Sequence, residues 1–241
     1  MNRPSEHRPS VKALERGLEV LDHLLTVAEE PLHDMAAATG IPPSTLHRLL
    51  AVLEAHGYVT SYHGVYRVGI KGWLLTASRA AIRQLLEELS REVGETVNFG
   101  MVIDHEIEFV ERAVFDHPLS FVVQVGSRVP LHCSAMGKAV LAFRPELRTG
   151  LKLVPRTPYS ITDETRLTRE LEQVAIRGFA LDVEEFIEGV ACVAVPVRDK
   201  DGLVVGAISI SGPHVRLTTD RAVHLVESLK TVSGRVSQLL G

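Results

Sequence analysis

Cysteine, aromatic residues and surplus positive charge are all scarce in this sequence. Cys133 and Cys192 are the only thiols among 241 residues. Two cysteines make neither a disulfide framework nor a four-cysteine zinc site. Aromatic side chains are 5% of the chain, too few for the stacking platforms that grip single-stranded nucleic acid. Lys and Arg number 26 against 30 Asp and Glu, so any contact with a polyanion must be local. No apolar run approaches the roughly 20 residues that cross a bilayer. The opening MNRPSEHRPS lacks the apolar stretch of a secretory signal. A cytoplasmic protein with no membrane partner is the expectation.

Catalytic signatures are missing as well. There is no His-Glu-x-x-His pair, phosphate-binding loop or dinucleotide fingerprint. Ser134 and Lys138 are four residues apart, not three, and Ser209 lacks the glycines of a nucleophile elbow. His132 and Cys133 are adjacent, which alone is a poor ligand pair. No catalytic residue, cofactor or metal site is therefore expected. A thiol enzyme built on Cys192 and one of the eleven histidines stays open as a rival.

What is present changes character near residue 70. Val11, Leu14, Leu18, Leu21 and Leu25 recur at spacings of three and four, predicting a helix over about 11–27 that buries this stripe, with Ser10 as its cap. A short helix over about 33–39, with Met35 and Ala36 inward, ends at Gly40. A third helix starts near Pro43, buries Leu46, Leu49, Leu50 and Leu53, and stops at Gly57. Two β-prone runs, 58–62 and 65–68, flank His63-Gly64 and predict a hairpin. Three helices and a hairpin are the layout of a winged helix-turn-helix.

In that layout the third helix enters the major groove of DNA. Ser44, Thr45, His47 and Arg48 stand near its N-terminus, and Arg48 can bond guanine bidentately. Arg67 and Lys71, in and after the wing, suit phosphates. A winged helix that binds protein instead of DNA is the alternative reading.

Residues 70–94 read as a helical connector plus the first helix of a second domain. Trp73, the only tryptophan, is either core or a subunit contact there. Beyond it, strands are predicted over 97–103, 107–114, 121–125, 179–182, 190–197 and 203–211. Helices are predicted over about 135–143, after a cap at Thr162, and from about Thr218. Asp201-Gly202 joins the last two strands. The class is α+β: a winged helix (1–69), a connector (70–94), and an antiparallel sheet with helices packed on it (95–241).

Several segments resemble the IclR family of bacterial transcription regulators. They are Val11 to Leu18, Thr39 to Leu50, Leu53 to Val59, Tyr66 to Gly69 and Gly94 to Val97, then Pro130 to Ala139, Gly178 to Asp182, Gly189 to Val197 and Ser209 to Pro213. The matches are collinear and span nearly the whole chain. The resemblance implies a C-terminal effector domain similar to the GAF fold, homodimers or dimers of dimers, and a double-stranded operator as partner. It further implies an effector site made of Ala135, Met136, Asp182, Cys192, Ser209 and Ser211, holding a small or aromatic organic acid. Repression of catabolic genes is the commoner family behaviour. The segment from Gly69 to Leu85 looks several residues shorter than the family's usual linker.

Overall fold

The computed structural model of the chain is described for residues 11–27, 29–73, 77–103, 105–118 and 123–240, without the side chains of Tyr62, Ile70, Trp73 and Ala77. The chain divides between Thr76 and Ala77 into two compact units. The expectations for Ser10 as a cap and for the Trp73 side chain lie outside the described residues.

The first unit runs α1 (Lys12–Val27), β1 (Glu29–Pro31), α2 (Leu32–Thr39), α3 (Pro43–Ala55), β2 (Val59–Tyr62), β3 (Val65–Val68) and α4 (Ile70–Trp73). Gly40 takes φ +67° and ends α2, a conformation that favours glycine. Pro43 opens α3, where its missing N–H costs nothing. Val20, Leu21, Leu24, Met35, Ile41, Leu46, Leu50 and Val59 form one small core. At about 1.5–3 kcal/mol for each large side chain, that burial holds the three helices together.

Two details differ from the sequence expectation. The stripe predicted to be buried on α1 is mostly outward: Val11, Leu14, Leu18 and Leu25 are exposed, Leu14 by 61%. The core takes Gly17, Val20, Leu21 and Leu24 instead. The helix is apolar on two adjacent stripes, and periodicity cannot say which one the chain itself covers. The hairpin also gains a third strand, β1, paired antiparallel with β3. It is three residues long and ends in Pro31, which an edge position tolerates.

The second unit runs α5 (Ala77–Val93), β4 (Thr96–Ile103), β5 (Glu106–Ala113), β6 (Arg128–Val129), α6 (Ala135–Leu141), α7 (Glu164–Arg177), β7 (Ala180–Val183), β8 (Val190–Arg198), β9 (Val204–Pro213), α8 (Thr219–His224) and α9 (Val226–Leu239). Six strands form one antiparallel sheet in the order β6-β5-β4-β9-β8-β7. Helices α5 and α9 pack against one another and the sheet, while α6 packs on α7 and on β5, β7, β8 and β9. Ala194 and Cys192 of β8 join the core under α6, so one sheet face serves that helix.

The strand expected over 121–125 is not seen in its described part, 123–125; residues 121 and 122 lie outside the described residues. The pairing to β5 is made by Arg128 and Val129. Helix α7 is capped by Asp163, not Thr162: Asp163 Oδ1 accepts from Arg166 N at 2.7 Å. An acid at this position also favours the helix dipole. In β5, Val110 is an extra residue, since Glu111 pairs with Phe99 and Phe109 pairs with Gly100.

A buried ion cluster joins both ends of the second unit. Glu95 is 2% exposed and accepts from Arg216 at 2.9 and 2.8 Å and from Arg221 at 3.0 Å. Burial alone would raise its pKa, but the two guanidinium groups hold it below the usual carboxylate value.

Candidate functional sites: an exposed helix and a narrow cavity

In the first unit, α3 presents Ser44, His47 and Arg48 to solvent, while Leu46 and Leu50 anchor it from behind. Thr45 is half-buried. Arg67 is half-buried in the middle strand, opposite Glu29 of β1 and Thr60 of β2. Lys71 is exposed on α4, and its backbone N–H donates to Gly57 O at 3.0 Å. Such a rod, polar outside and apolar behind, has the dimensions to lie in a major groove.

In the second unit, Ala135, Met136, Asp182, Cys192, Ser209 and Ser211 line one cavity. Its construction follows from register. Asp182 pairs with Cys192 across β7 and β8, and Cys192 pairs with Ser211 across β8 and β9. Partners in register share a face, so the three side chains stand in a row. Ser209 joins them by the period of two. Helix α6 covers the row. Gly137 lets that helix approach, because a Cβ there would run into the Leu131 backbone. Ser134 caps α6 by accepting from Gly137 N at 3.0 Å. The N–H groups of the first turn, Ala135 and Met136 among them, lack acceptors within a helix and suit an anionic ligand.

The cavity encloses about 320 Å³ counting its mouth, and its interior is narrow. Ser134, Phe109, Val123, Val129 and Phe186 complete the wall. Room for a small organic ligand requires some of these side chains to move outward.

The polar groups around it are tightly organised. Asp182 Oδ1 accepts from the backbone N–H of Glu185 at 2.8 Å and of Phe186 at 3.3 Å. Burial, reinforced by the nearby Glu185 carboxylate, pushes Asp182 up to about 7, with Lys138 opposing. Lys138 is 1% exposed; it bonds the Glu185 carboxylate and lies 3.8 Å from that of Glu170. Glu185 is itself raised by burial, although Lys138 pulls the other way. The Cys192 thiol is pushed well up by burial and by Asp182, so it stays protonated. Burial pushes Cys133 up to about 12. Reactive cysteines show the opposite shift. Among the described residues, no group of three or more His, Cys, Asp or Glu is placed to hold a metal ion.

Asn98 was not legible as a site residue in the sequence. It sits on β4, opposite Ser209, and donates from Nδ2 to Ser209 Oγ at 3.4 Å and to Ser211 Oγ at 3.1 Å. Only the β4–β9 pairing brings it there. Lys138 and Glu185 were missed for a similar reason, being 47 residues apart in sequence.

Comparison with known proteins gives a uniform result. Residues 13–61 match the family profile described as the IclR helix-turn-helix domain, and residues 77–238 match the one described as bacterial transcriptional regulator IclR C-terminal. The chain is 32% identical over 248 residues to the HTH-type transcriptional regulator XynR of Escherichia coli (strain K12), covering 97% of this chain and 98% of that one. It is 33% identical over 260 residues to the HTH-type transcriptional repressor AllR of Klebsiella pneumoniae, covering 99% and 95%. Among solved structures, the Thermotoga maritima IclR aligns with TM-score 0.66 and 28% identity, covering 95% of this chain and 98% of that one.

Proposed function

The chain belongs to the IclR family of bacterial transcriptional regulators, and from that premise we propose that it is a repressor of catabolic genes released by a small organic acid. It is a DNA-binding regulator with an N-terminal helix-turn-helix and a C-terminal effector domain, not an enzyme. The repressor reading draws on relatives named as repressors. Its proposed DNA partner makes the bacterial cytoplasm its working place.

The observation that carries the effector reading is the gathering of Asp182, Cys192, Ser209 and Ser211 under the start of α6. Hydroxyl and backbone donors there suit a carboxylate or carbonyl oxygen. Asp182, in its protonated form, offers one more donor. The operator reading assigns base edges to Ser44, Thr45, His47 and Arg48 and phosphates to Arg67 and Lys71.

A homodimer, or a dimer of dimers, is the proposed working form. The exposed stripe Val11, Leu14, Leu18 and Leu25 supports it, because such a row on a small domain is costly to leave in water. Ligand linkage then follows from differential affinity: an effector that prefers one arrangement of the dimer shifts the population toward it.

The test is a thermal-shift screen of small and aromatic carboxylic acids, followed by fluorescence anisotropy on DNA flanking the protein's own gene. A compound that raises the melting temperature and weakens DNA binding supports repression with release. A compound that strengthens DNA binding refutes release, and a protein that retains none of that DNA refutes the operator reading.

A further inference from the structure

We propose that Asn98 is a positioning residue for effector recognition: its amide group commits Ser211, and with it Ser209, to donate hydrogen bonds into the cavity. The cavity then selects a ligand oxygen that only accepts. This rests on the effector reading of the cavity and adds the device that sets its polarity.

A serine hydroxyl has one hydrogen and two acceptor lone pairs, and it rotates to suit its neighbours. Left alone, Ser209 and Ser211 would welcome a ligand hydroxyl, amide or carboxylate alike. They are not alone. Ser211 Oγ accepts from Asn98 Nδ2 at 3.1 Å and from the Cys192 thiol at 3.2 Å. Both lone pairs are thereby engaged, and its hydrogen must go elsewhere. The Cys192 thiol keeps its proton, because burial and Asp182 both disfavour the thiolate. The second amide hydrogen of Asn98 reaches Ser209 Oγ at 3.4 Å, biasing that hydroxyl the same way.

Asn98 is suited to this role and to little else. It is 1% exposed, and it stands beside Ser209 on the neighbouring strand without lining the cavity itself. Its Oδ1 is buried without a partner among the described residues. Reversing the amide would place the NH2 group, with two hydrogens, in that unpartnered position, a larger loss than one idle acceptor. The observed orientation is the one that leaves fewer buried groups unmade. A strand position facing Ser209 could hold Val or Thr with less desolvation, so the amide is retained at a stability cost.

The experiment measures binding of acetate, pyruvate and benzoate against acetamide, pyruvamide and benzamide by titration calorimetry. The full-length protein is compared with Asn98→Ala, Asn98→Asp and Ser211→Ala. The native protein should bind at least one carboxylate about tenfold tighter than its amide. Asn98→Ala should weaken the carboxylate about five- to tenfold and narrow that ratio. Asn98→Asp, which accepts from both serines, should abolish or invert the preference. Unchanged melting temperature and effector-free DNA binding would show that folding is intact; if one Asn98 variant does not fold, the other carries the comparison. Retention of the native carboxylate-to-amide ratio in the folded Asn98 variants, with Ser211→Ala impaired, overturns the proposal and leaves the cavity reading standing. An unimpaired Ser211→Ala, or no binding of any probe to the native protein, overturns the cavity reading and the proposal together.

Discussion

Phe109 and Glu111 are two residues apart on one strand, yet they face opposite sides of the sheet. The extra residue Val110 inverts the alternation between them. Phe109 lines the cavity, while the buried Glu111 carboxylate accepts from Arg79 at 2.9 Å and lies 3.6 Å from Arg83, both on α5. A displacement of the cavity wall thus acts on the same strand that holds the first turns of the helix following the connector.

Glu111→Gln should loosen that hold. Amide hydrogen exchange over residues 79–83 should quicken, and unfolding should cost about 1–3 kcal/mol less. Hydrogen-exchange mass spectrometry with a urea titration measures both. Native exchange rates in the variant would show that α5 is held by its apolar face alone.

Arg48→Ala should weaken specific operator binding by about 1–3 kcal/mol, roughly 5- to 150-fold, while leaving the oligomeric state unchanged. Anisotropy titration and light scattering report the two quantities. An equal loss on unrelated DNA would reassign Arg48 from base recognition to phosphate contact.

Leu18→Glu should leave the isolated fold intact, because Leu18 is 52% exposed. Operator affinity should nevertheless fall at least about tenfold, as a charge is forced into an apolar seam. A variant that binds its operator normally, with an unaltered sedimentation profile, would remove α1 from the dimer contact.

The pH dependence of stability has a definite sign at Asp182. Its folded pKa, about 7, lies above its ordinary value of 3.8. The folded state therefore binds the proton more tightly. The stabilisation is complete below about pH 4 and is lost as pH rises through about 7. Asp182→Asn keeps the acceptor for the Glu185 and Phe186 N–H groups and removes the titration. Its melting temperature should exceed that of the native protein by several degrees above pH 7, with the difference vanishing near pH 4. Parallel melting curves for the two proteins across this range would contradict the assignment.

The sequence foretold different parts of this molecule for different physical reasons. Helix α3 was legible to within two residues, because Pro43 and Gly57 bracket it, and of its leucine stripe Leu46 and Leu50 are buried while Leu49 and Leu53 are half-buried. Helix α1 was legible as a helix only. With apolar residues on two adjacent stripes, its inward side depends on what packs there, which spacing does not encode. Strand β1 was invisible, since Glu29-Glu30-Pro31 carries no strand propensity and exists through pairing with β3. The six predicted effector residues came from motif resemblance; register brought Asp182, Cys192, Ser209 and Ser211 together, and α6 laid Ala135 and Met136 over them in one cavity. Asn98 could not have been found that way, because its role depends on a partner 111 residues distant.

Lys138 has one more consequence. Asp182 is the only formally charged residue among those lining the cavity, and the nearby ammonium is already committed to Glu185. An acidic ligand must therefore be held by hydroxyls and peptide dipoles at short range. Such forces are hardly touched by mobile ions, whereas contacts to the phosphates of duplex DNA are strongly attenuated by them. Raising the ionic strength should prise the regulator from its operator without weakening its grip on the effector.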